Sequence, residues 1–267
     1  MTPLFRLQNV TVRFGRQTVL SNVTFDILPQ ETLALIGESG CGKSVTLKLL
    51  VGLLAPTEGD VLFEGRSIAG LTPRELTVLR RRVGFLFQGA ALFDSLDVFD
   101  NVAFGLRAHG GVGDVEIADR VSRGLADVGL PPAVAKKMPV ELSGGMRKRV
   151  GLARALVLDP EAMLYDEPTT GLDPIMTDVI NELILVARRR RPLTSVVVTH
   201  EMRTVQKVAS RVVMLYPHSR LGPGESQVLY DGPADGLLDS PDGRVPQFVL
   251  GEARDRVTER RTDEIDD

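Results

Sequence analysis

Gly37-Glu38-Ser39-Gly40-Cys41-Gly42-Lys43-Ser44 fits the spacing G-x-x-x-x-G-K-[ST]. Glycines at those positions let backbone N–H groups converge on one concavity, and a helix starting there adds partial positive charge. Such a loop cradles phosphate. Lys43 would reach β- and γ-phosphates, and the Ser44 hydroxyl would hold Mg²⁺. A second acidic feature, Asp166-Glu167, closes the apolar run Ala162 to Tyr165. An aspartate at a strand tip beside a phosphate loop can hold the metal's water shell. The glutamate after it can deprotonate an attacking water, assistance typically worth about 10²–10⁴ in rate.

These groups need a scaffold. Thr32 to Ile36 is a continuous apolar run, the pattern of a strand buried on both faces, and the chain reads as helical from Lys43 through Leu53. Strand, glycine loop and helix form one unit of a parallel α/β sheet. Before it, Val10, Val12 and Phe14, then Val23, Phe25 and Ile27, alternate with polar residues as strands do. Val83 to Phe87, Ala162 to Tyr165 and Ser195 to Val198 read as further buried strands. Ile175, Val179, Leu183 and Val186/Ala187 mark one face of an intervening helix. Between about 98 and 155 the pattern is helical, with Ile117, Val121, Leu125 and Val128 in register. The reading is an α/β core interrupted by a helical subdomain. Residues 217–227 form a polar Pro/Gly loop.

Composition narrows the class. The 267 residues are 43% hydrophobic and 25% charged, enough to bury a full core and too apolar for a disordered chain. A net charge of −3 lacks the basic footprint of a nucleic-acid binder. The single cysteine, Cys41, fits a reducing compartment; lying at a helix start beside Lys43, it is expected to have a lowered pKa. No apolar run reaches the ~18–20 residues of a membrane span, and the first residues lack a signal-peptide pattern. The chain is therefore expected to be soluble and cytoplasmic. Residues 252–267 carry seven acidic and four basic side chains, and a partly disordered tail is expected there. Arg188 to Arg191 are expected to complement a helix dipole rather than face a membrane.

Leu142-Ser143-Gly144-Gly145-Met146 alone reads as a serine N-cap. Taken with the phosphate loop, Gln88, Asp166-Glu167 and Val198-Thr199-His200, in that order along the chain, it resembles the ATP-binding-cassette (ABC) ATPases of transporters. The resemblance covers residues 4 to about 240. It implies a P-loop NTPase fold: a RecA-like parallel sheet, an N-terminal antiparallel β subdomain and an inserted helical signature subdomain at about 98–155. The domain would span 4–245, with 246–267 a C-terminal extension. It implies ATP and Mg²⁺ held by Gly37, Glu38, Ser39, Gly40, Cys41, Gly42, Lys43, Ser44 and Val45, with Phe14 stacking on adenine. Ser44, Gln88 and Asp166 would serve the metal. Glu167 would be the base, His200 would contact the γ-phosphate, and Gln88 and Lys43 would assist. Ser143, Gly144 and Gly145 would close over the ATP of a second copy, and Asp173 would signal across that homodimer.

Phe87 to Val98, Asn101 to Phe104, Leu142 to Arg149 and Val245 to Gly251 are similar to the Mla/Mce-type lipid-transport ATPases. That likeness implies a motor for phospholipid movement between membranes, peripheral on the cytoplasmic face of the inner membrane. Its partners would be an MlaE-type permease, an Mce-domain lipid-binding protein and a small STAS-domain protein. Leu92, Phe93 and Leu96 would form an exposed apolar cluster for the permease, or else pack within the helical subdomain. The alternative is a motor for import of a polar solute such as an amino acid. A soluble translation or repair ATPase would need a second cassette or a coiled-coil insert, and a kinase leaves Leu142-Ser-Gly-Gly unexplained. Pro29-Gln30-Glu31 departs from the family's Pro-x-Gly-Glu turn, where a local change is expected.

Overall fold

A computed structural model describes residues 2–253; the expected disorder of the tail falls, for 254–267, outside the described residues. Strands β1 (Phe5–Phe14) and β2 (Gln17–Ile27) form an antiparallel hairpin, and β3 (Thr32–Gly37) leads into helix α1 (Lys43–Leu50). Then come β4 (Glu58–Phe63), β5 (Arg66–Ser67), α2 (Pro73–Arg82) and β6 (Val83–Leu86). Helices α3 (Val98–His109), α4 (Asp114–Asp127) and α5 (Gly144–Leu156) precede β7 (Ala162–Asp166), α6 (Pro174–Arg190) and β8 (Thr194–Val198). The described chain ends with α7 (Met202–Val208), β9 (Arg211–Leu215), β10 (Val228–Gly232) and α8 (Arg244–Leu250).

Two sheets result: an antiparallel one in the order β2-β1-β4-β5, and a six-stranded one in the order β10-β9-β3-β8-β7-β6. The second is parallel except for β10, which runs against β9. Strand alternation divides its interior. Leu33 and Leu35 of β3, Leu164 of β7 and Val196 of β8 join a core with the antiparallel sheet and α1. Met163, Tyr165 and Val197, on the opposite face, join the helical subdomain and α6. Both faces of the central strands are therefore dry, which is why they read as unbroken apolar runs. Phosphate loop and acidic pair both lie at the carboxyl ends of these strands, where open α/β sheets bind ligands.

Two local expectations change, and a third is borne out. Helix α1 stops at Leu50 rather than Leu53: Gly52 at φ 61° lets the Gly52 and Leu53 amides turn back to Leu49 O (3.0 Å) and Lys48 O (2.9 Å). The buried stripe of α6 is Thr177, Ile180, Asn181, Ile184 and Ala187, whereas Ile175 is 77% exposed. Asn181 donates to Thr204 Oγ1 (3.1 Å), so polar residues occupy the inward face. In the departing turn, Gln30 takes a left-handed φ of 64°, and the turn closes through Glu31 Oε1 accepting from Leu28 N (2.6 Å). Thr32 still begins β3. Arg188 to Arg190 occupy the last turn of α6, and Arg190 and Arg191 pair with Asp127 and Asp159.

Candidate active site

The phosphate loop is shaped by two glycines that no other residue can replace. Gly37, at φ 139°, would place a Cβ 2.1 Å from Leu215 O; Gly42, at φ 101°, would place one 2.4 Å from Leu20 Cδ2. Gly42 is also the N-cap of α1 and supplies no side-chain acceptor, leaving the first amides of the helix for an anion. Lys43, only 9% exposed, curls back so that Nζ donates to Gly37 O (2.7 Å) and Glu38 O (2.8 Å). These carbonyls hold the ammonium within the loop it would serve.

The tip of β7 faces α1. Ser44 Oγ donates to Asp166 Oδ1 at 2.9 Å. Burial raises the Asp166 carboxyl above its ordinary range; Ser44 opposes that shift and neighbouring Glu167 adds to it. A buried carboxylate beside a hydroxyl and a second carboxylate is a hard, all-oxygen set that suits Mg²⁺, which keeps most of its shell for water and phosphate.

Glu167 turns away from the strand in the left-handed region, φ 49°, a conformation uncommon for a side chain of this size. Its amide donates to Val198 O (3.0 Å), and its carbonyl accepts from Lys148 Nζ (2.8 Å). Its carboxylate accepts from Thr170 Oγ1 (2.8 Å) and meets His200 Nδ1 at 2.9–3.0 Å. The carboxylate is thus aimed from three sides, while the His200 ring remains 56% exposed. Lysine, serine, aspartate, glutamate and histidine, far apart in sequence, share the carboxyl edge of β3, β7 and β8.

The other expected residues lie around this centre. Phe14 is half exposed at the end of β1, and Gln88 is exposed two residues after β6. Ser143 caps α5, its Oγ accepting from Met146 N (3.3 Å), and Gly144 and Gly145 open that helix. Asp173 caps α6 by accepting from Ile175 N (2.9 Å) and Met176 N (3.0 Å). None of these side chains hydrogen-bonds to the central five among the described residues. The thiol expectation is reversed: Cys41 is fully buried, and burial raises its pKa against the pull of Lys43. Of the apolar cluster, Phe93 is exposed and meets exposed Phe104 at a tilt of 41° (ring centroids 4.6 Å), whereas partly buried Leu92 packs against the helical core.

Sequence reasoning missed four participants. Lys148 and Thr170 hold Glu167, Arg220 pairs with Glu38 of the phosphate loop, and buried Gln227 donates to Cys41 O (3.2 Å). Lys148 and Thr170 stand within a few residues of motif positions, a proximity that marks them for scrutiny without assigning a partner. Arg220 and Gln227 lie some 180 residues from theirs.

Comparison with known proteins agrees with this geometry. The ABC transporter family matches residues 20–170. The intermembrane phospholipid transport ATP-binding protein MlaF of Haemophilus influenzae is 40% identical over 250 residues, covering 94% of this chain and 91% of that protein. The probable ribonucleotide transport ATP-binding protein mkl of Mycobacterium leprae is 41% identical, covering 92% and 68%. Among solved structures, the ATP-binding cassette MJ0796, a dimer in a post-hydrolysis state bound to ADP and Pi, superposes with a TM-score of 0.73 at 32% identity, covering 80% of this chain and 96% of that one. With its phosphate loop, acidic strand tip and serine-capped glycine helix in place, the chain belongs to the ABC transporter family as an ATP-binding, ATP-hydrolysing subunit.

Proposed function

We propose that two copies of this chain close around two ATP molecules and that their hydrolysis drives phospholipid transport through a separate membrane permease. Residues 4–245 act as the working domain. The amides of the loop from Gly37 to Val45, with Glu38, Ser39, Gly40 and Cys41 in its turn, hold the phosphates, Lys43 neutralises them, and Phe14 stacks on adenine. Ser44, Gln88 and Asp166 would hold Mg²⁺, which would supply positive charge to neutralise the phosphates. Glu167 takes the proton of the attacking water, and His200 orients that carboxylate while contacting the γ-phosphate. Ser143, Gly144 and Gly145 complete the site of the other copy, because a glycine-opened helix N-terminus approaches an anion closely. Asp173 couples the two sites.

One observation carries the reading: the Glu167 carboxylate is fixed between Thr170 and His200, next to the Ser44–Asp166 pair. Glu167→Gln should lower kcat by at least about 10²-fold while ATP holds the variant as a dimer, read by phosphate release and size-exclusion chromatography. Full turnover in that variant would remove Glu167 as the base.

The lipid cargo is supported by the named function of MlaF and by the 87–98 and 245–251 segments. An MlaE-type permease, an Mce-domain protein and a STAS-domain protein are the corresponding partners, with this subunit peripheral on the cytoplasmic face of the inner membrane. The mycobacterial relative's name favours a second reading, a polar solute as cargo. Mild-detergent purification of the tagged chain from its own membranes, with mass spectrometry of proteins and lipids, separates the two. Co-purifying Mce-domain protein and phospholipid support the first; a solute permease with a solute-binding protein supports the second.

A further inference from the structure

Helix α5 holds both flanks of the site through two cations, Lys148 and Arg154, on successive turns of the helix. Near its start, Lys148 is 6% exposed, and Nζ donates to Glu167 O at 2.8 Å. Near its end, Arg154 donates from Nη1 to Ala91 O (2.8 Å) and from Nη2 to Ala90 O (2.6 Å). All three acceptor residues have left-handed backbone: φ 49° at Glu167, 63° at Ala90 and 45° at Ala91. Non-glycine residues keep such conformations only where their surroundings impose them. Between the two cations, Gly151 is packed so closely that an added Cβ would lie 3.0 Å from Ala90 Cβ and from Leu86 Cδ1.

We infer that Lys148 is a positioning residue for Glu167, tying the backbone turn that aims the carboxylate to the helix whose N-terminus carries Ser143. This rests on Glu167 being the base. Burying an ammonium is costly unless it is hydrogen-bonded, so the cation is anchored by the carbonyl it grips. A movement of α5 along its axis then reaches the Glu167 turn directly. It reaches the segment after Gln88 through Arg154.

The test is steady-state ATPase of Lys148→Met and Lys148→Arg, with thermal melting and binding of a fluorescent ATP analogue measured on the same preparations. Methionine keeps the unbranched apolar stem, one atom shorter, and removes the donor. Lys148→Met should lower kcat at least ~10-fold, the scale of losing a charged hydrogen bond, and leave KM and analogue affinity within ~2-fold. Lys148→Arg should recover kcat to within ~3-fold of the parent. If Lys148→Met is not recovered folded, Lys148→Leu, which also lacks a donor, is measured against the same thresholds.

A kcat within ~2-fold of the parent in the donorless variant, or arginine no better than methionine, would overturn the inference. So would a loss carried by KM and melting temperature alone, which marks a merely structural cation. Glu167→Gln assayed alongside separates the two levels. If it is inactive while Lys148→Met is normal, only the role of Lys148 fails; if it turns over normally, the base assignment fails and the role of Lys148 with it.

Discussion

Tyr165, immediately before Asp166, is fully buried, and its hydroxyl makes no well-formed hydrogen bond; Ser195 on the adjacent strand interacts with it, but less strongly than burial acts. Burial pushes the phenol above the ordinary tyrosine range. The sign of the consequence follows from linkage. An unfolded tyrosine loses its proton near pH ~10, whereas the folded one keeps it to higher pH. The stability associated with the neutral phenol is whole below the unfolded value and falls as pH rises above it. Tyr165→Phe should therefore leave stability at about pH 8 little changed, since only a poorly paired hydroxyl is removed, and should flatten the loss toward about pH 10.5. Urea melts of parent and variant at both pH values check this; parallel losses would show that another group governs alkaline unfolding. The residue scale also shows what a motif cannot carry. The phosphate loop was legible because glycine, lysine and serine occupy fixed offsets. The raised pKa of Cys41 was not, because burial outweighs the nearby Lys43 and burial depends on chain folded around the loop. Gln227, which reaches both Val19 O (2.9 Å) and Cys41 O, likewise leaves no trace at the spacing of any motif.

Helices and strands differ in how openly they announce themselves. β3, β7 and β8 were legible as apolar runs because both of their faces are covered. The α6 stripe was misplaced because Thr177 and Asn181 lie on its buried side and Ile175 on its exposed one. A periodicity that weights only apolar residues rotates such a helix away from its true face. Helix α5 illustrates two roles laid on one terminus. Ser143 caps it in the single chain, and the same hydroxyl is the group proposed to meet the γ-phosphate of a second copy. The roles separate by magnitude. Its capping bond is long, 3.3 Å, so Ser143→Ala should cost no more than about 1 kcal/mol of stability. ATP-driven pairing in a Glu167→Gln background should nevertheless be lost. Sedimentation with and without ATP, beside a thermal melt, reads both. Undiminished pairing would confine Ser143 to capping.

At the scale of the molecule, the site is proposed to be half of a pair. Residues 172–176 pack beside the opening of α5: a Cβ added at Gly145 would lie 2.7 Å from Met176 Cε, and one at Gly144 3.9 Å from Leu172 Cδ2. Asp173 and the exposed Ile175 therefore share an edge with Ser143-Gly144-Gly145, apart from the hydrogen-bonded centre built on Lys43 and Glu167. If that edge completes another copy's site, ATP binds a pair more tightly than it binds one chain. Linkage makes the difference measurable. A ligand of the folded single chain stabilises by RT ln(1 + [L]/Kd), about 2.7 kcal/mol at a hundredfold excess over Kd, whatever the protein concentration. A ligand of the pair adds a stabilisation that grows with protein concentration, because unfolding must also separate the two chains. With saturating MgATP, the melting temperature of Glu167→Gln should rise steadily as its concentration is raised about a hundredfold. Lys43→Ala, without the cation that neutralises the phosphates, should show neither the ATP shift nor the concentration dependence. An ATP shift in Glu167→Gln that stayed constant over that range would mean the nucleotide serves one chain at a time. The shared edge of α5 and α6 would then have to be explained by packing alone.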